Sequence, residues 1–166
     1  MIKNNKLLTM ALFVGAIALT TQVMAHNGAM GIVKERMDAM AILGDHAKAV
    51  GDMLKGKRAF ELDAVDVAAQ AFIEHGERIP KLFPDTEDSR LGPGSEALPA
   101  IWERWDEFSS LATQFTEDSR SLASIVSELS SGELSANEQS RTIRSSFFKT
   151  VKNCSACHEN FRLDQD

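Results

Sequence analysis

From residue 143 onward the side chains that stand apart from their polar neighbours are Ile143, Phe147, Val151, Cys154, His158 and Phe161, at spacings of 4, 4, 3, 4 and 3. Those steps trace one face of an α-helix. Any fold built on this stripe must bury an apolar seam whose last turns hold two thiols and an imidazole. The helix has a start signal in Ser135-Ala-Asn-Glu138, a capping box in which the serine and the glutamate satisfy each other's free backbone donors. The spacing predicts a helix from there to about Phe161.

The rest of the chain reads the same way. Strand-like alternation is missing, as are tyrosines and runs rich in Val, Ile and Thr. A first helix is predicted over about Met30 to Lys55, with Val33, Met37, Met40, Ala47, Val50 and Leu54 on one stripe, Gly44 thinning the same face and Gly56 as the stop. A second runs over about Asp63 to Ile79, with Asp63 as N-cap, Val65, Ala68, Ala69, Phe72, Ile73 and Ile79 inward, and Pro80 limiting its end. A long connection, Lys81 to Ala97, holds Pro84, Gly92, Pro93 and Gly94, and Leu82 and Phe83 predict that part of it packs on the core. A third helix begins near Leu98, with Pro99 in its first turn, passes through Ile101, Trp102, Trp105, Phe108, Leu111, Ala112 and Phe115, and extends toward Leu129 before Ser-Ser-Gly at 130–132. Four amphipathic helices with two short connections and one long one predict an all-α fold, an antiparallel four-helix bundle.

Cys154-Ser-Ala-Cys157-His158 is the spacing used for covalent haem attachment. Two residues between the thiols set their separation on a helical turn, so that both reach the vinyl groups on one porphyrin edge. The adjacent histidine then projects an imidazole over the ring to the iron, where it helps to set the redox potential. The other readings of the pair are weaker. A disulfide here would close a very small loop and stabilise little. A structural zinc site wants four ligands, and His26, His46 and His75 form no second paired motif. A thioredoxin-type pair needs a βαβ context. The expected cofactor is one covalent haem c with its iron, near the C-terminal helix.

Residues 1–25 read as a cleaved secretory signal peptide. They combine Lys3 and Lys6, an apolar run over 7–19 broken only by Thr9 and Gly15, and Val23-Met24-Ala25 at the end. That run is short for a bilayer span. The domain is expected to occupy 26–166, with no later stretch apolar enough to cross a membrane. All 24 acidic residues fall in it against 16 lysines and arginines, a formal charge of −8. That charge argues against nucleic acid as a partner, because phosphate contacts need a basic patch. Steering toward a basic protein surface is allowed. No acid–base constellation marks an enzyme.

The methionines left after the signal are Met30, Met37, Met40 and Met53. Met37 and Met40 share the inner stripe of the first helix, so either could face a haem carried by the last one. A methionine stripe is also ordinary core packing.

Three stretches together resemble the class II c-type cytochromes, typified by cytochrome c′. They are Arg36-x-x-x-Met40 followed by Gly44, His46 and Gly56; Pro80-Lys-Leu-Phe-Pro84 followed by Ala97-Leu-Pro-Ala-Ile-Trp102; and Cys154-Ser-Ala-Cys157-His158-Glu-Asn-Phe161-Arg162. The resemblance covers almost the whole of 26–166. It implies thioether cysteines at Cys154 and Cys157, a proximal ligand at His158, a propionate-side arginine at Arg36 and a distal residue at Met40. In low-spin members a methionine of the first helix binds iron; in five-coordinate members that position only shields it. The implied functions are a periplasmic electron carrier with His158/Met40 ligation, serving redox partner proteins, or a five-coordinate protein that binds nitric oxide or carbon monoxide. The Pro80–Pro84 and Ala97–Trp102 segments look closer to the low-spin members. A homodimer through the first two helices is a further implication of the resemblance.

Overall fold

Four long helices follow from the four stripes, and the computed structural model describes them within residues 28–163. The leader expected over 1–25 lies outside the described residues. Helix α1 is Gly31–Leu54 and α2 is Leu62–Arg78. A 3-10 turn over Ile79–Leu82 and a short α3, Glu87–Leu91, occupy the long connection. Then come a one-turn α4, Ala100–Glu103, a long α5, Trp105–Ser130, and α6, Ala136–Phe161. The fold is the expected four-helix bundle, built from α1, α2, α5 and α6.

Local signals account for some of the boundaries. Gly56 takes φ +72 just past the end of α1, a left-handed conformation that glycine adopts without a Cβ penalty. The capping box opens α6: the Glu138 carboxylate accepts from the Ser135 backbone N–H at 3.0 Å and from its hydroxyl at 2.6 Å. Two expectations need correction. Helix α2 is capped by Glu61 with no side-chain bond, and Asp63 sits inside the first turn, where its charge still favours the N-terminus. The third helix is not continuous from residue 98. It breaks at Arg104, whose backbone (φ −121, ψ 47) leaves the helical region between α4 and α5. Tertiary contacts hold the break: Arg104 donates to the Asn160 carbonyl at 3.2 Å and stacks 4.7 Å from the centroid of the Phe161 ring.

Helix α5 packs extensively on α2 and on α6, and α1 packs on α2. Phe72, Phe108, Phe147, Leu122 and Ile143 are fully buried between them. Burying side chains of this size is the main stabilising term, about 1.5–3 kcal/mol each. Helices α1 and α6 touch each other only sparingly. That gap defines the site. One end of it is closed by the connection, where Leu98 N–H donates to the Phe161 carbonyl at 3.0 Å and Leu163 N–H to the Glu96 carbonyl at 2.8 Å. Among the described residues no helix is long and apolar enough to cross a membrane.

Candidate haem site

Between α1 and α6 lies a cavity of about 530 Å³, walled also by α5 and by the connection. All five residues singled out from the sequence line it: Arg36 and Met40 from α1, and Cys154, Cys157 and His158 from α6. Met37 lines it as well, so the structure brings both candidate methionines to the same space. The α1 wall is low because Ala41, Gly44 and Ala47 face the cavity with small side chains or none. A Cβ placed on Gly44 would meet nothing within 4 Å. The rest of the lining is largely apolar, with Leu43, Phe83, Ile101, Phe115 and Phe161 among it. A mostly apolar recess with a few converging polar groups is the usual form of a cofactor site.

Among the polar groups in the wall are those a haem c would need. Cys154 and Cys157 are free thiols, half-buried one turn apart. Burial pushes both up from their ordinary range, Cys157 to about 11 with the neighbouring Cys154 adding to the effect. Burial also lowers His158, helped by the Arg162 guanidinium and opposed by Glu96. A histidine held neutral keeps a lone pair available for a metal.

Arg36 supplies the sharpest observation. It is only 4% exposed, and its guanidinium donates to the Ser89 hydroxyl at 3.2 Å, the Ser89 carbonyl at 2.9 Å and the Ser95 hydroxyl at 2.6 Å. Its Cζ lies 4.8 Å from the centroid of the Phe83 ring. All of these partners are neutral, and burial lowers its pKa. A buried cation held by neutral groups is costly unless an anion completes its shell. At the edge of this cavity a carboxylate borne by the ligand would do so. The cavity, the thiol pair, the neutral imidazole and this cation fit a haem with its propionates. A zinc reading fits less well, because among the described residues no three His, Cys, Asp or Glu side chains gather as a metal cluster.

A family model described as cytochrome c′ matches residues 31–162. The chain belongs to the cytochrome c′ family. It is 26% identical over 133 residues to cytochrome c-556 of Agrobacterium tumefaciens (strain II Chrys), which covers 80% of this chain and 98% of that one. It is 24% identical over 131 residues to cytochrome c′ of Rhodopseudomonas palustris (strain ATCC BAA-98 / CGA009), with 79% and 81% covered. Among solved structures, cytochrome c′ from Rhodopseudomonas palustris superposes with a TM-score of 0.70 at 23% identity, over 82% of this chain and 99% of that one. A structure of oxidised R. palustris cytochrome c556 gives 0.64 at 23% identity, over 81% and 98%. These superpositions establish the fold. The cofactor of this cytochrome c′ family member is one covalent haem c with its iron.

Several residues of the site were not singled out from the sequence. Ser89 and Ser95 hold Arg36 from inside the long connection, where nothing in the local pattern distinguishes them from turn serines. Asn153 lines the cavity and donates to the buried Asp118 at 2.9 Å. A signal existed for Asp118, a carboxylate on the apolar face of α5 between Phe115 and Leu122.

Proposed function

We propose that this protein is an exported electron carrier, with haem bonded through Cys154 and Cys157, His158 as one axial ligand and Met40 as the other. Residues 1–25 would direct it to the periplasm and be removed, leaving 26–166 as the working domain. The haem supplies one-electron exchange at iron. The chain supplies the rest: the two thiols fix the ring to α6, the buried guanidinium of Arg36 offers a counter-charge to a propionate, and the apolar walls keep bulk water from the site. A thioether as the second axial ligand raises the potential and suits a carrier. Redox proteins with a basic face are the expected partners, steered by the formal charge of −8 over 26–166.

The observation that carries this reading is the company in the cavity. Among the described residues, His158 is the only imidazole in its lining, and Met37 and Met40 are its only thioethers, presented by a different helix. Met40 lies one turn from Arg36 on α1, so it is ranked ahead of Met37. The relatives include both cytochromes c-556 and cytochromes c′, and their names do not decide between the two readings.

The test is a pair of variants of the holoprotein. Met40→Ala should convert a low-spin ferric spectrum to a high-spin one, and Met37→Ala should leave it low-spin. The reverse pattern would transfer the ligand role to Met37. A wild-type spectrum that is already high-spin would favour the five-coordinate reading, in which nitric oxide or carbon monoxide occupies the face shielded by Met40.

A further inference from the structure

Helix α5 buries a carboxylate beside the haem cavity. Asp118 is 4% exposed, and no feature of the proposed ligand set calls for it. Its Oδ2 accepts from Asn153 Nδ2 at 2.9 Å, while Oδ1 accepts from Gln114 at 3.1 Å and lies 2.8 Å from Lys149 Nζ. Asn153 in turn lines the cavity and immediately precedes Cys154. Every acceptor oxygen of the buried group is therefore partnered, and two of its three partners come from the helix that carries the haem motif.

We infer that Asp118 is a built-in buried anion that lowers the reduction potential of the haem and, through Asn153, positions the α6 turn bearing Cys154. The inference rests on the proposed attachment at Cys154 and Cys157, not on the identity of the second axial ligand. A fixed negative charge stabilises the ferric centre, which carries one more positive charge than the ferrous one. The effect is strong where water is excluded and weak where it is not. Asp118 lies on the dry side of that divide. Burial alone would raise its pKa, but hydrogen bonds from Lys149, Asn153 and Gln114 bring it below the ordinary carboxylate range, so the charge is present at neutral pH. Lys149, whose side chain is 69% exposed, is screened by solvent and offsets the anion only in part.

The experiment measures the potential of the holoprotein by spectroelectrochemistry at low ionic strength, in wild type, Asp118→Asn and Lys149→Ala. Asparagine is nearly isosteric and its carbonyl still accepts from Asn153, but its NH2 then faces the Gln114 and Lys149 donors, so the fold of this variant is checked by circular dichroism. Asp118→Asn should raise the potential by an amount on the order of tenfold in the reduction equilibrium, about 59 mV for one electron. Lys149→Ala removes the opposing charge and should lower it by less. Lys149 is exposed, so this second variant reports even if Asp118→Asn folds poorly. A folded Asp118→Asn protein with unchanged potential, or a Lys149→Ala protein whose potential does not fall, would overturn the inference. Each sample is also denatured and checked for haem on the polypeptide. Haem released on denaturation would overturn the attachment itself, and with it the inference; haem retained with an unmoved potential overturns the inference alone.

Discussion

Gly76 leaves no room for a side chain where α2 meets α5, and substituting alanine there should destabilise a helix that alanine normally favours. A Cβ at Gly76 would lie 2.5 Å from Thr116 Oγ1 and 3.1 Å from the Phe115 ring. Neither neighbour moves freely. Thr116 is buried, and its hydroxyl donates to the Ala112 carbonyl at 2.9 Å; Phe115 is buried and forms part of the haem cavity wall. The intrinsic helix gain from Gly to Ala is about 1 kcal/mol. Overpacking a close-packed interface costs about 1–3 kcal/mol, and turning a stiff β-branched threonine away from Ala112 loses a hydrogen bond of about 1 kcal/mol. The net expectation for Gly76→Ala is a loss of about 1–3 kcal/mol, read from urea unfolding of the holoprotein by far-UV circular dichroism. Thr116→Ala removes the clashing oxygen, so the double variant should be more stable than the sum of the single effects by about 1 kcal/mol. A Gly76→Ala protein stabilised by about 1 kcal/mol, as expected of an open helical glycine, would refute the reasoning, as would strictly additive behaviour in the pair.

Three further outcomes are expected. Cys154→Ala combined with Cys157→Ala should abolish covalent haem, whereas wild type keeps its haem through denaturation and acid extraction; haem that extracts from wild type into organic solvent would contradict the attachment. The apoprotein should melt well below the holoprotein, because a group bound only by the native state stabilises it and α1 and α6 have little else between them; equal midpoints would contradict this. Asp118 should contribute to acid stability: its folded pKa is depressed, so its contribution is fully present above the unfolded value of about 3.9 and is lost as pH falls through the folded one. Asp118→Asn should therefore flatten the acid limb of the stability profile below about pH 4, and an acid limb identical to wild type would argue against an ionised, hydrogen-bonded Asp118.

Much of this architecture was written in the stripes. Ile143, Phe147 and Phe161 are buried as the period requires, and the cysteines and the histidine on the same seam reach the cavity. The same logic brought Met40 to the site from α1. It misplaced the centre of the α1 face, however: Ala39 and Leu43 are buried, while Met37 and Met40 are only half-covered, because they border the cavity. The break at Arg104 was not legible, since residues 98–129 carry an uninterrupted helical pattern. It arises from distant partners, with the Trp102 indole N–H donating to the carbonyls of Phe83 at 3.1 Å and Pro84 at 3.2 Å, and Arg104 reaching α6. The clamp on Arg36 was hidden for the same reason. Ser89 and Ser95 lie more than 50 residues downstream of it, and no local periodicity links them.

If Met40 is the second axial ligand as proposed, carbon monoxide must compete with it for the iron. The reduced wild-type protein is mixed with carbon monoxide and followed by absorption spectroscopy, alongside the electron paramagnetic resonance of the oxidised form. Ligation by His158 and Met40 predicts a low-spin ferric signal with a sulfur-to-iron charge-transfer band. Uptake of carbon monoxide should then be slow or negligible and become fast in Met40→Ala. A wild-type protein that is high-spin when oxidised and takes up carbon monoxide rapidly when reduced would contradict the claim.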